Sequence, residues 1–321
     1  MTGRNILMYF PWSRPDEERA PLGNLDNRFG ALFELRRLQW PKYEALAGEH
    51  FNQGIAGFLD NILLQNYSVF REEMRIRTGR TVPLVERCTS EGKVTLLDGD
   101  FLSGIDILII AGFDSQRTAQ HPGDSELQAI GKFLDDPGHT LFVCPHHDIG
   151  DVEGVPGNEA LSRQEAEFHH HGDTGIPGQQ RLGGFARSLL RDLGVPVHNR
   201  FGLRAAKMPD GSPAPIQINA QADRFNLLQG VKAFNLHPHL PHFEMLGDAD
   251  RKLDVLVEQS IDLQAPPHPF TQGRKTLNAL LQSKPNVFSG RLLICDSTLW
   301  TSTNGGLDGL RQFWANVTRL G

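Results

Sequence analysis

Only three cysteines, Cys88, Cys144 and Cys295, occur in the 321 residues. They are odd in number and far apart. That argues against a disulfide framework and makes a reducing cytoplasm the default setting. No apolar run approaches the length needed to cross a bilayer, so no membrane span is expected. The N-terminus, MTGRNILMYFPWSRP, has an apolar stretch too short for a signal peptide, soon broken by Pro11 and Pro15. Basic charge is scarce as well: 32 Lys and Arg face 38 Asp and Glu, a net charge of −6. No basic stripe dominates, which excludes nucleic acid as the expected partner. The richest basic stretch, FREEMRIRTGR with Arg71, Arg75, Arg77 and Arg80, reads as a solvated helix end whose cations suit the helix dipole. Neither an H-E-x-x-H nor a C-x-x-C spacing is present, so no motif dictates a metal geometry. Internal repeats and low-complexity tracts are missing too. What remains points to a small-molecule ligand as partner, with room for a homo-oligomer.

The apolar pattern carries the fold. NILMYF, 5–10, reads as a buried strand stopped by Pro11. The chain from there to Gly30 reads as a loop. Phe51, Ile55, Phe58, Leu59, Ile62, Leu63, Phe70 and Met74 fall at three- and four-residue spacing, which predicts a long amphipathic helix over 51–76. TVPLVER, 81–87, is a second strand candidate. IDILIIAG, 105–112, is a near-continuous apolar run suited to a strand covered on both faces. Asp124 can cap the next helix, whose apolar face is Leu127, Ile130, Phe133 and Leu134. HTLFVC, 139–144, is the following strand, so a βαβ unit fits in about forty residues. QQRLGGFARSLLRDLG, 179–194, predicts a helix ended by Gly194. VPVHNRF (195–201), VKAFNL (231–236), KLDVLVEQS (252–260) and RLLICDS (291–297) are extended candidates, and GLDGLRQFWANV (306–317) is a closing helix. One domain over 1–321 is expected, with insertions at about 145–180 and 205–250.

In open parallel sheets, ligands bind outside the carboxyl ends of the strands. Four polar segments should reach that edge: PWSRPDE, GFDSQR, CPHHDIG and DSTLWTSTNGG. They offer Arg14, Asp114, Ser115, Asp296 and Ser297 for ligand binding, beside His146, His147 and Asp148.

Histidine is plentiful, at thirteen, and clustered. His147 and Asp148 follow one strand, and His169 and His171 lie in the insertion after it. Neutral imidazole and carboxylate are ligands for zinc or a similar divalent ion. His147, Asp148, His169 and His171 could hold one, with a position left open for a water made acidic by the metal. A solvated His-rich loop is the alternative.

The line from DFLSGIDILIIAGFDS through DSELQAIGKFLDDPGHTLFVCPHHD, with GRLLICDSTLW and the helix after it, resembles the class I glutamine amidotransferase-like superfamily, in particular its trehalose-utilisation-protein-like, non-glutaminase branches. The resemblance covers about 100–150 and 290–320. It implies a flavodoxin-like α/β fold, a three-layer sandwich with a mainly parallel sheet and loop insertions. It also implies a Cys–His–Glu set for amide hydrolysis: Cys144 as nucleophile, His237 or His242 as base, Glu244 as orienter. Pro145 stands against a nucleophile at Cys144, because it has no N–H for an oxyanion hole and favours extended geometry in the residue before it. Three readings stay open at this point. The first is a hydrolase of small polar metabolites, using His147, Asp148 and their neighbours with or without metal. The second is a non-catalytic ligand-binding or interaction module. The third is a Cys-dependent amidase.

Overall fold

The computed structural model describes residues 3–19, 56–57, 59–115, 118–146, 158, 183–200, 204–236, 242–264, 273–303 and 305–319. In chain order the regular elements are β1 (Ile6–Ser13), α1 (Arg14–Glu18), α2 (Ser68–Thr78), β2 (Leu84–Cys88), α3 (Gly99–Leu102), β3 (Ile107–Gly112), α4 (Asp124–Leu134), β4 (Thr140–Pro145), α5 (Gly184–Asp192), β5 (Val197–Arg200), β6 (Gln217–Ile218), β7 (His242–Met245), α6 (Ala249–Lys252), β8 (Leu253–Ser260), β9 (Thr276–Ser283), β10 (Arg291–Cys295) and α7 (Leu307–Arg319). Eight strands form one sheet in the order β2-β1-β3-β4-β10-β9-β8-β6. From β2 to β10 every pairing is parallel, and from β10 to β6 every pairing is antiparallel. β5 and β7 form a separate antiparallel ribbon.

Alternation along the strands divides the apolar side chains into two layers. Phe10, Ile109, Phe142 and Leu293 face α2 and α7, where Phe70, Met74, Phe313 and Trp314 meet them. Tyr9, Ile110, Val143 and Ile294 face α4 and α5, where Ile130, Phe133, Phe185 and Leu189 meet them. The result is a three-layer α/β arrangement around a mostly parallel sheet. Among the described residues no helix is long and apolar enough to cross a membrane.

Several local expectations need correction. Pro11 does not stop β1. The strand runs on to Ser13, with a register irregularity between Phe10 and Ser13 that places the missing N–H where the ladder is already interrupted. Arg14–Glu18 is then helical rather than loop. The expected helix over 51–76 is described in pieces: a π turn at Leu59–Leu63, a 3-10 turn at Leu64–Tyr67, and only then α2, which ends on Gly79 in the left-handed region. Asp124 is the first helical residue of α4 and not its cap. The cap is Gly123, whose N–H donates to Glu126 at 3.0 Å. VKAFNL forms no strand, although Val231 and Phe234 are buried.

Candidate functional site

Parallel pairing brings the C-terminal ends of β1, β2, β3, β4 and β10 to one edge of the sheet. Arg14, Asp114, Ser115, Asp296 and Ser297 all follow these ends directly, as expected. They fall into three groups with different chemistry.

Arg14 is buried, and its guanidinium is already bound. Nε and Nη2 donate to the two Glu86 oxygens at 2.6 and 2.7 Å, and Nη2 also meets Asp60 at 2.8 Å. Trp12 Nε1 donates to the same Glu86 carboxylate at 2.9 Å. Burial pulls the Arg14 guanidinium down, but Glu86, Asp60 and Glu18 outweigh it and raise it above its ordinary value. Arg14 therefore ties β1 to β2 instead of standing open to a ligand.

Asp114 and Ser115 lie at the end of β3, between β1 and β4. Ser115 donates from its backbone N–H and its hydroxyl to the two oxygens of Glu17, at 2.6 and 2.7 Å. Asp114 is fully buried at the start of α5. Its carbonyl accepts from Gly183 N–H at 2.8 Å, and its Oδ2 accepts from Phe185 N–H at 2.9 Å. Its Oδ1 meets no hydrogen-bond partner. Burial pushes the carboxyl up to about 7. The Phe185 N–H and the nearby Arg187 pull it down, while Glu17 adds to the rise. Two glycines permit this approach of helix to strand. A Cβ on Gly112 would lie 2.9 Å from Ala186 Cβ and 3.0 Å from the Cys144 carbonyl, and Gly183 adopts a φ of +71°. His146 tilts its ring against Phe113 at 4.4 Å beside this group.

The third group joins β4 to β10. Asp296 accepts from Thr298 N–H at 2.8 Å and so caps the 3-10 turn at Ser297–Trp300. Asn199, from β5, donates to the Pro145 carbonyl at 2.7 Å and to Asp296 at 3.5 Å. Cys144 and Cys295 are fully buried, with their sulfurs 3.6 Å apart. Ser297 is buried, with its hydroxyl against the Tyr67 phenol.

Among the described residues, Cys144 is not brought together with His242 and Glu244. β4 continues as a strand through Pro145, which pairs with Gly112, so no sharp turn presents the Cys144 thiol. That thiol faces the α2 and α7 layer, whereas β7 packs on the other face of the sheet through Phe243. His242 Nδ1 accepts from Asn278 N–H at 3.3 Å and clips β7 to β9, with Glu244 two residues further along the ribbon. His147, Asp148, His169, His171 and His237 lie outside the described residues. Among the described residues, no group of three or more His, Cys, Asp and Glu side chains is placed to hold a metal.

Sequence reasoning passed over Glu17, Glu86, Tyr67 and Asn199. Glu17 alone carried a signal, since it follows a strand end by one helical turn in PDEE. The others reach the edge from distant segments. The chain matches no protein-family model and no curated protein.

Proposed function

We propose that this chain is an enzyme, a hydrolase of small polar metabolites that works at the carboxyl edge of its parallel strands. Asp114 is its general acid–base. The observation that supports this is the carboxyl itself: fully buried, held through one oxygen by a helix N–H, unpartnered at the other, and titrating at about 7. Such a group is half protonated at neutral pH, so it can give and take a proton in one turnover. Glu17 and Ser115 stand beside it as polar groups fixed by their own hydrogen bonds.

The scaffold belongs to the same reading. Five parallel strands in the order β2-β1-β3-β4-β10 support a flavodoxin-like core and the amidotransferase-like superfamily. The free thiols of Cys88, Cys144 and Cys295 suit a reducing cytoplasm. A metal-assisted form of the reaction would rest on His147, Asp148, His169 and His171, and metal content measured on tag-free protein purified without chelator tests it.

The main test is a panel of small aryl esters, amides, glycosides and phosphate esters, assayed with the wild type and with Asp114→Asn. The substitution keeps an acceptor for Phe185 N–H and removes the titration. Expected is a fall in kcat of about 100-fold or more with KM little changed, and loss of an inflection near pH 7 in the wild-type profile. Activity that survives Asp114→Asn with an unaltered profile overturns the reading.

A non-catalytic ligand-binding module on the same scaffold is the second reading. The observation favouring it is the uninterrupted β4, which supplies no nucleophile turn at Cys144. Saturable binding of polar metabolites without turnover would establish it.

A further inference from the structure

Ile294 of β10 pairs with Val143 of β4, so the residues that follow, Cys295 and Cys144, lie side by side on neighbouring parallel strands. Neighbouring strands run about 4.8 Å apart. That falls inside the window of about 4.4–6.8 Å between Cα atoms that a disulfide spans. The two sulfurs are 3.6 Å apart, and both residues are fully buried. Closure to a bond of about 2.05 Å asks for side-chain motion and little of the backbone.

The surroundings of the two sulfurs are unusual for an apolar interior. Tyr67 Oη, Ser297 Oγ and Trp300 Nε1 are all buried, and none makes a well-aligned hydrogen bond. Each of them can donate, and a core donor held so loosely costs free energy. Tyr67 and Trp300 border the thiols, and Ser297 meets Tyr67. Burial and the neighbouring Cys144 push the Cys295 thiol up, while the Trp300 indole N–H pulls it back down. Burial likewise pushes the Tyr67 phenol well up, with the Ser297 hydroxyl acting against it. Donors placed like this bind more strongly when negative charge develops on a sulfur, or on an oxygen bound to it.

We propose that Cys144 and Cys295 form a reactive dithiol that a small hydroperoxide oxidises to a disulfide. One sulfur attacks the O–O bond as its proton leaves. An S–O bond forms and the O–O bond breaks, which leaves a sulfenic acid and a hydroxide that takes up the thiol proton and departs as water. The second sulfur then displaces the sulfenic oxygen. The S–S bond forms, the S–O bond breaks, and that oxygen leaves as water with the remaining thiol proton. For hydrogen peroxide the sum is two thiols oxidised and two waters released. Both sulfurs are fully buried, so a small oxidant reaches them by local opening of the core. Cys88, only partly buried and away from the pair, serves as an internal reference. The proposal does not depend on the hydrolase reading.

The native, full-length chain is treated with hydrogen peroxide, alkylated under denaturing conditions, and mapped by mass spectrometry without reduction. Expected is a peptide linking Cys144 to Cys295, with the protein lighter by two hydrogens and the link reversed by a dithiol reductant. Recovery of both residues as alkylated thiols while Cys88 is oxidised overturns the proposal. A link from Cys88 to either residue overturns it too. In Cys295→Ser, Cys144 should be trapped as its sulfenic acid by dimedone present during denaturation, and absence of that adduct counts against the proposal. Trp300→Phe keeps an aromatic ring and removes the N–H. It should slow linking of the native chain about tenfold, and an unchanged rate would remove the donors from the mechanism.

Discussion

Arg14 shows how much a single side chain depends on what surrounds it. Its position after β1 suggests a cation open to a ligand, yet Glu86 and Asp60 enclose it. Removing one partner of a buried pair leaves the other charge uncompensated, which costs about 3 kcal/mol. Arg14→Met should therefore lower stability by about that amount in urea denaturation. Arg14→Met with Glu86→Gln should recover part of the loss, because the amide still accepts from Trp12 Nε1 and carries no charge. A double variant no more stable than Arg14→Met alone would show that the charge of Glu86 is not what Arg14 balances. The residue type and the strand-end position of Arg14 were both legible in the sequence. Its role was not, because Glu86 is 72 residues away along the chain. Glu17 and Asn199 escaped for the same reason: their function as partners exists only once β1 meets β3 and β5 meets β4.

At the scale of elements, the seating of α5 against β3 and β4 controls the candidate site, since Asp114 is buried by it. Gly112 sits at that seat, and a methyl group there meets Ala186 and the backbone of Cys144. Overpacking of this kind costs about 1–3 kcal/mol. Gly112→Ala should lose that much in thermal or urea denaturation, while Gly131→Ala in α4, where a Cβ meets nothing within 4 Å, should gain up to about 1 kcal/mol. Equal effects from the two substitutions would contradict this account of the seat. β3, β4 and β10 were readable as strands because both of their faces are covered, and so their sequences are apolar throughout. β9 was not, since TLNALLQS mixes Leu277, Leu280 and Leu281 with Asn278 and a fully buried Gln282 that donates to the Ala222 carbonyl at 3.1 Å. Neither period wins in such a line. Conversely, VKAFNL has strand composition, but its apolar side chains enter the core from irregular backbone, with Asn235 donating to the Thr298 carbonyl at 2.9 Å.

The pH dependence of folding belongs to the whole molecule, because a buried carboxyl transmits its protonation to the folding equilibrium. Asp114 is raised from 3.8 to about 7 in the fold, so between those values the folded state holds a proton that the unfolded chain has released. Its contribution is fully favourable below about pH 4, falls as pH rises towards 7, and levels off above that. Asp114→Asn should flatten this slope and gain most over the wild type at pH 8, measured as the denaturation midpoint across pH 4–8. Identical slopes in the two proteins would mean that Asp114 is ionised throughout. The layered α/β plan and the carboxyl edge were both visible in the sequence from hydrophobic runs and the polar segments after them. In the antiparallel half β8 was visible as KLDVLVEQS, and β5 of the ribbon as VPVHNRF, whereas β6, β7, β9 and the antiparallel pairing itself were not.

The enclosure of Arg14 also bears on charge at this edge. The Arg14 guanidinium is surrounded by Glu86, Asp60 and Glu18, which offset its charge. Glu17 and Asp296, also at this edge, are buried and accept from Ser115 and Thr298. The same contacts that stiffen the end of β1 thus spend the Arg14 charge inside the protein, on carboxylates from three separate segments.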